Sequence, residues 1–389
     1  MNVEAARRPR LLWAAGVAAM VLAGLAGFQI FLAKQPYGYD LWAYVLAARH
    51  LLAGEPLYAA QPEVPFGPYG EYHYAPPAAL PFALLAPLPF WLATAIFMAL
   101  NTAVAAAIAV HLIRPLPRDA RPWAAAAFLL FLPLILEIAL GNLNLLTVAL
   151  CLLAWSWRQR STAAGTVLAV AIGLKLLPLT LVLFYLASGR GRVVAWTLAV
   201  GAIGLLLTAL LFARDFPAYV ALLIALKDSH WAEDLVASTP PPEVAAVLGS
   251  PIGRWLLPVA ALGTAILGGL AARRDPREET HLHHLALAFA PYLASFGLLW
   301  FPYLVTALPV MASTLQRALR LPRPGARGAL VAALALSWLL LQVVGEQNDL
   351  VPIAAHLLGL VVLLAVALAV LLIARPRDIP ESIAARVAA

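Results

Sequence analysis

Charged residues are scarce in this sequence: Asp, Glu, Lys and Arg together make up 12% of its 389 residues. A typical soluble domain carries about 25%, so this chain has too little charge to cover a water-exposed surface. Its single cysteine, Cys151, excludes an intramolecular disulfide and a metal site built from thiolates. The sequence also has no Gly-rich phosphate loop and no paired-aspartate metal motif. These absences argue against a soluble enzyme that binds nucleotides.

Hydrophobic residues account for 63% of the chain and come in long runs, such as 11–33 and 351–374. About 20 apolar residues in a helix match the hydrocarbon core of a bilayer. We therefore predict an all-α polytopic membrane protein with about ten to twelve transmembrane segments, forming one domain over residues 1–389. The run 11–33 is too long for the apolar part of a signal peptide, so we expect it to be a retained anchor.

The distribution of charge predicts an orientation. The net charge is +7, and most Lys and Arg residues fall in short segments on one side of the predicted spans, whereas most acids fall on the other. By the positive-inside rule, the basic side and both chain ends are cytoplasmic, which suits a multi-pass protein of the bacterial cytoplasmic membrane. The outer side then carries two polar loops, 34–77 and 214–250. The charge reports topology, and we expect no nucleic-acid binding.

The block 161–187 has arginines on both flanks, but it is too short for two full crossings. It predicts a hairpin of two half-length helices with Lys175 at the tip. An ammonium in an apolar block costs about 2.5–3.5 kcal/mol on insertion, so it needs a partner. Three interpretations remain open: pairing with an acid such as Glu137, extension of the side chain to the outer interface, and binding of the phosphate of a lipid-linked substrate.

The first outer loop contains the best candidate for a general base. Asp40 stands beside aromatic residues, including Tyr44, at the end of a predicted span. The carboxylate also directly precedes the helical run 41–52, so it could be an N-cap. Both interpretations remain open.

Tyr72, His73 and Tyr74 close the same loop and precede two prolines that favour an extended chain. These aromatic residues are either an interfacial belt or a rigid wall on which a sugar ring stacks.

Polar residues also occur where predicted spans 123–140 and 143–157 meet. Glu137, Asn142 and Asn144 either join helices or bind a phosphate or a sugar hydroxyl. A histidine cluster, His281, His283 and His284, lies on the predicted cytoplasmic side, where we expect no metal site.

The order and spacing of these motifs resemble glycosyltransferase family 87, which includes mycobacterial mannosyltransferases that act on phosphatidylinositol mannosides. The motifs that carry the resemblance are Asp40 with Tyr44 and Gly54-Glu55-Pro56-Leu57-Tyr58, then Tyr74-Ala75-Pro76-Pro77, Gly141-Asn142-Leu143-Asn144, and Gly165 through Lys175-Leu176-Leu177-Pro178, followed by Arg190 and Arg192.

The resemblance implies a GT-C-like fold with its site at the outer membrane face. It implies inverting transfer of a hexose, with mannose as the leading candidate, from a polyprenyl-phosphate donor to a lipid or glycan acceptor without a cofactor. Asp40 would deprotonate the acceptor, and Lys175 would hold the donor phosphate. Substrate-binding residues would also come from the late hairpin, at Trp300 and Tyr303.

One departure stands in this hairpin, where Pro302 takes the place of a histidine that many members have. His73 or Arg254 could replace that histidine, or the protein could be a weak enzyme or a non-catalytic assembly protein. From the residues alone, the alternative function is a transporter or flippase of lipid-linked or small polar substrates, since broken helices and an intramembrane Lys also suit transport.

Overall fold

The computed structural model describes residues 37–58, 72–228, 257–275, 281–289, 301–343 and 350–373. Within these ranges all regular structure is helical, and no strand is present. The α-helices are α1 Tyr39–Ala53, α2 Phe90–Ile113, α3 Arg121–Leu129, α4 Leu132–Leu140, α5 Asn144–Ser156, α6 Ser161–Leu174, α7 Leu179–Ala187, α8 Gly191–Leu211, α9 Phe216–Asp228, α10 Leu257–Arg274, α11 His281–Leu287, α12 Leu308–Leu319, α13 Pro324–Leu340 and α14 Leu350–Ile373. Two 3₁₀ segments, Pro76–Leu84 and Phe301–Ala307, complete the set. The predicted all-α fold class is confirmed.

Three helices in the described ranges are long and apolar enough to cross a membrane: α2, α8 and residues 355–373 of α14. Helices α3 and α4 make a fourth span if they are taken together, with a bend of 47° between them. Helices α5, α6 and α13 are apolar but shorter. The chain is therefore an α-helical membrane protein. The predicted anchor 11–33 lies outside the described residues, and the count of ten to twelve segments stays a prediction.

The block 161–187 folds into two half-length helices, as predicted, with the break at Lys175. Helix α6 ends at Leu174, the backbone of Lys175 is in an extended conformation, and Pro178 precedes the first residue of α7. The two halves have different main neighbours: α6 packs against α5 and α8, whereas α7 packs mainly against α10 and less extensively against α8. Lys175 at this break is buried, whereas Leu176 is exposed and lines a cavity. Non-helical backbone at membrane depth is tolerated where it is buried in protein or lines a cavity.

Two clusters of buried apolar side chains hold the helices together. The larger one runs through α2 to α8 and α10 to α14. The smaller one joins α1, the segment Pro76–Leu84 and the start of α2, and it includes Leu41, Ala79 and Leu143. Since Leu41 follows Asp40 and Leu143 follows Asn142, this smaller cluster positions both polar residues.

Two glycines let the start of α1 touch the end of α4. Gly38 and Gly141 both have a positive φ, of 74° and 73°, a backbone conformation that residues other than glycine rarely adopt. The Gly38 N–H donates to the Ala139 carbonyl at 2.8 Å, and a Cβ on Gly141 would lie 2.8 Å from the Leu41 Cβ. The polar ends of two helices far apart in sequence therefore meet at these glycines.

We expect Gly141→Ala to lower the thermal stability of the protein in detergent more than Gly54→Ala does. Both glycines have a positive φ, but a Cβ on Gly54 would meet nothing within 4 Å. Each substitution should lower the free energy of unfolding by about 1–2 kcal/mol through backbone strain. Gly141→Ala should lower it by about 1–3 kcal/mol more through overpacking. Thermal unfolding followed by circular dichroism measures both; equal losses would contradict the close contact of α1 with α4.

Candidate active site

Asp40 lies in the first turn of α1 but does not cap the helix. The N-cap is Gly38, which has no side-chain capping bond, so the N-cap interpretation of Asp40 is wrong. Its carboxylate instead accepts a hydrogen bond from Asn142, with 2.7 Å between Oδ2 and Nδ2. The side chain is half-buried, so an approaching group can still reach it.

The surroundings of Asp40 favour a carboxyl that titrates close to neutrality. Helix α1 lies outside the membrane-spanning helices, and burial raises the pKa of Asp40 to about 6, against smaller opposing effects of the Asn142 hydrogen bond and the charge of Lys175. A group with this pKa is mostly ionised at pH 7 and binds a proton more readily than an ordinary aspartate. These are the properties that a general base needs.

Lys175 is buried, with 9% of its surface exposed. Its Nζ donates to the Asn142 Oδ1 at 3.1 Å and to the Asn144 Oδ1, and the ring of Tyr303 has its centroid 4.1 Å away. An ammonium has three protons to donate, and two asparagine carbonyls are neutral acceptors that leave its charge in place. This geometry argues against extension of the side chain to the interface.

Glu137 is linked to Lys175 through an asparagine rather than by a direct ion pair, as far as the described residues show. Its Oε2 accepts from the Asn144 Nδ2 at 2.8 Å, and its Oε1 accepts from the backbone N–H of Leu145 at 3.1 Å. Glu137 is fully buried. The predicted set Glu137, Asn142 and Asn144 therefore forms one hydrogen-bonded network with Lys175 and Asp40.

A cavity of about 600 Å³ opens beside Lys175. Most of its lining is aliphatic, from the α6–α7 break, α7, α9 and α10; Lys175 is the charged side chain among the described lining residues. Aromatic and imidazole rings line it too: His73, Tyr74, Tyr219 and Tyr303. Burial lowers the pKa of His73 to about 4, so His73 is neutral at pH 7 and offers a phosphate no second positive charge.

Tyrosines fix the wall of this cavity. The Tyr44 and Tyr74 hydroxyls lie 2.9 Å apart, and Tyr58 donates to the Tyr74 carbonyl at 2.6 Å. The Tyr72 hydroxyl donates to the Ala75 carbonyl at 2.8 Å. Tyr44 and Tyr72 are buried and support the wall, whereas Tyr74 lines the cavity itself.

The start of the predicted second outer loop, 214–250, contributes residues that the sequence analysis did not select. Asp215 accepts from the Leu57 N–H at 2.9 Å, and Arg214 donates to the Gly54 carbonyl at 2.7 Å. One helical turn beyond Asp215, Tyr219 stacks on Tyr58 with ring centroids 6.1 Å apart and lines the cavity. The signal available in the sequence was the Arg-Asp pair followed by a tyrosine at a spacing of four.

Two remaining candidates fall outside the described residues, and His283 contacts other groups. Trp300 and Arg254 are outside the described residues, as is the side chain of Pro302. His283 lies between Ser313 and the Ala367 carbonyl. In the described ranges, no three His, Cys, Asp or Glu side chains form a group that could hold a metal ion.

Comparison with known proteins identifies the family. The model of glycosyltransferase family 87 matches residues 72–285, more than half of the chain. The match includes the 72–74 segment, the network from Glu137 to Asn144, and Lys175. No curated protein and no solved structure matches the chain. Because the match covers more than half of the chain, the protein belongs to glycosyltransferase family 87 and is a membrane-embedded glycosyltransferase.

Proposed function

We propose that the protein is an inverting glycosyltransferase that moves a hexose, most simply mannose, from a polyprenyl-phosphate donor to a lipid or glycan acceptor. The reaction takes place at the outer face of the cytoplasmic membrane. The observation that carries the proposal is a buried ammonium, that of Lys175, in the wall of a largely apolar cavity.

Both the lipid chain and the phosphate of a polyprenyl phosphate match the lining of this cavity. The aliphatic lining from α7, α9 and α10 suits the first units of an isoprenoid chain, whereas Lys175 suits the phosphate that follows them. A nucleotide-sugar donor fits less well, because its base and diphosphate would meet aliphatic side chains. A preorganised cation in a dry site also stabilises the negative charge that develops on the departing phosphate oxygen.

Asp40 supplies the other half of the reaction. The acceptor hydroxyl gives its proton to the Asp40 carboxylate while its oxygen bonds to the anomeric carbon. The bond from that carbon to the phosphate oxygen breaks, and its electron pair leaves with the polyprenyl phosphate. Because attack and departure occur on opposite faces of the sugar, the anomeric configuration inverts. Lys175 and Asp40, joined through Asn142, are suited to act on the leaving and attacking oxygens.

The residue after Pro302, which stands where many family members have a histidine, contributes to the proposed donor site. Tyr303, the next residue, places its ring 4.1 Å from the Lys175 ammonium, a distance typical of a cation–π contact. We propose that this contact fixes the ammonium from one side so that it faces the phosphate. The positive-inside distribution supports an outer-face site, and the family resemblance supports mannose as the sugar.

The decisive experiment incubates purified protein in nanodiscs with radiolabelled polyprenyl-phosphate mannose, glucose or galactose and a total lipid extract. We expect a glycosylated product from at least one of these donors, none from GDP-mannose or UDP-glucose, and an inverted anomeric configuration by NMR. Transfer from a nucleotide sugar alone would overturn the proposal. So would transport of the lipid-linked sugar across sealed vesicles without any transfer, which would favour a flippase.

A further inference from the structure

The orientation of the Asn142 side chain is determined by its contacts. Its Oδ1 receives two donors, the backbone N–H of Leu143 at 2.6 Å and the Lys175 ammonium at 3.1 Å. Neither donor could face an NH₂ group, so the amide cannot be turned over. The NH₂ must therefore point to Asp40, which it meets at 2.7 Å. The backbone carbonyl of Asn142 is fixed as well, by the side chain of Asn101 at 3.1 Å.

Asn144 repeats the arrangement on the other side of Lys175. Its Oδ1 accepts from the same ammonium, and its Nδ2 donates to Glu137. Two Lys–Asn–carboxylate bridges therefore diverge from one cation, and one of them ends on Asp40 while the other ends on a fully buried acid. Both asparagines are buried, whereas Asp40 is only half-buried.

We propose that Asn142 is a positioning residue that couples Lys175 to Asp40 and does not touch the substrate. The Lys175 charge polarises the amide through its Oδ1, which strengthens the hydrogen bond that the NH₂ donates to the carboxylate. That bond keeps Asp40 ionised and occupies its Oδ2, so that Oδ1 is the oxygen that takes the acceptor proton. The proposal deepens the function proposed above and rests on it.

The consequence is a dependence of activity on pH that is set by Asn142. Transfer by the wild-type protein should rise with pH as Asp40 loses its proton, near pH 6. A donor to the ionised carboxylate lowers its pKa, so loss of that donor moves the rise to higher pH. The ionisable groups that face Asp40 are Lys175, Glu137, Tyr44, Tyr74 and Tyr303. All of them remain in the variant described next.

The test is Asn142→Asp, a change that preserves shape. The new carboxylate still accepts from Leu143 and Lys175, but it presents an oxygen to Asp40 where the NH₂ was. Two carboxylates at this distance cannot both ionise, so one proton is shared. We expect the acid limb of kcat against pH to move up by about one to three pH units, with activity recovered at high pH. The KM for the donor should change less than threefold.

Thr147→Val is the matched control, because Thr147 is buried in the first turn of α5 and its hydroxyl donates to the Leu143 carbonyl at 2.9 Å. Its pH profile should coincide with that of the wild type. An unmoved acid limb in Asn142→Asp, or a large rise in donor KM at every pH, would overturn the positioning role and make Asn142 a substrate ligand.

Infrared pH-difference spectra give a readout that does not depend on sugar transfer. The carboxyl band that disappears in Asp40→Asn reports the titration of Asp40, and in Asn142→Asp its midpoint should move upward. If the wild-type protein transfers no sugar, the proposed function fails, yet this band still decides the coupling. A band that titrates at the same pH in both proteins refutes the coupling.

Discussion

Asp40→Asn is expected to reduce sugar transfer by at least about 100-fold, the lower end of what a general base contributes. The amide has the shape of the carboxylate but cannot take the proton of the acceptor hydroxyl. Its oxygen still accepts the hydrogen bond from Asn142, which the wild-type carboxylate accepts at 2.7 Å. The contact between α1 and α4 therefore persists, and the defect should appear in kcat rather than in folding.

Glu55→Gln provides the matched control, since it makes the same acid-to-amide change in the same predicted loop, 34–77. The side chain of Glu55 is 60% exposed and lies 3.8 Å from His50, so its replacement should leave transfer within about twofold of the wild type, as for most surface substitutions. Radiolabelled product formed under donor saturation measures both variants. Transfer by Asp40→Asn within about threefold of wild type would remove Asp40 as the base, whatever the function of the site.

Much of the fold was predictable because a bilayer restricts what a chain can form. Long apolar runs in lipid must become helices, and this reasoning predicted α14 from the run 351–374. A run too short for two crossings predicted the break at Lys175, which the structure places between Leu174 and Leu179. The same reasoning gave no information on packing, and it could not show that α6 packs against α5 and α8 while α7 packs mainly against α10.

The candidate site was predictable as a set of residues but not as a network. Asp40 and Asn142 are 102 positions apart, and no local pattern specifies that they meet. The contact arises because Gly38 and Gly141 allow two backbones to approach closely, a tertiary effect that a single sequence does not reveal. The local rule that an acid before a helical run is an N-cap failed for the same reason: a glycine takes that position, and the carboxylate serves a distant partner.

Lys175→Met is expected to weaken binding of polyprenyl phosphate by about 10- to 100-fold, the equivalent of one charge-assisted hydrogen bond. Methionine fills a similar volume, and the apolar cavity lining accommodates it, so the helices on either side of the break should keep their packing. Asn142 and Asn144 lose a donor in the variant, and Asp40 loses the Lys175 charge that lowers its pKa. Lys175→Met should therefore change both the affinity for the donor and the pH profile, whereas Asn142→Asp should change mainly the pH profile.

Polyprenol, which lacks the phosphate, separates the charge from the lipid chain. In the wild type, polyprenyl phosphate should bind more tightly than polyprenol by the factor that Lys175 contributes, and in Lys175→Met the two should bind nearly equally. Leu186→Met, on the exposed surface of α7, controls for the introduced side chain and should bind both lipids as the wild type does. If polyprenyl phosphate keeps its advantage in Lys175→Met, the ammonium does not hold the phosphate, and its role is confined to its contacts with Asn142 and Asn144.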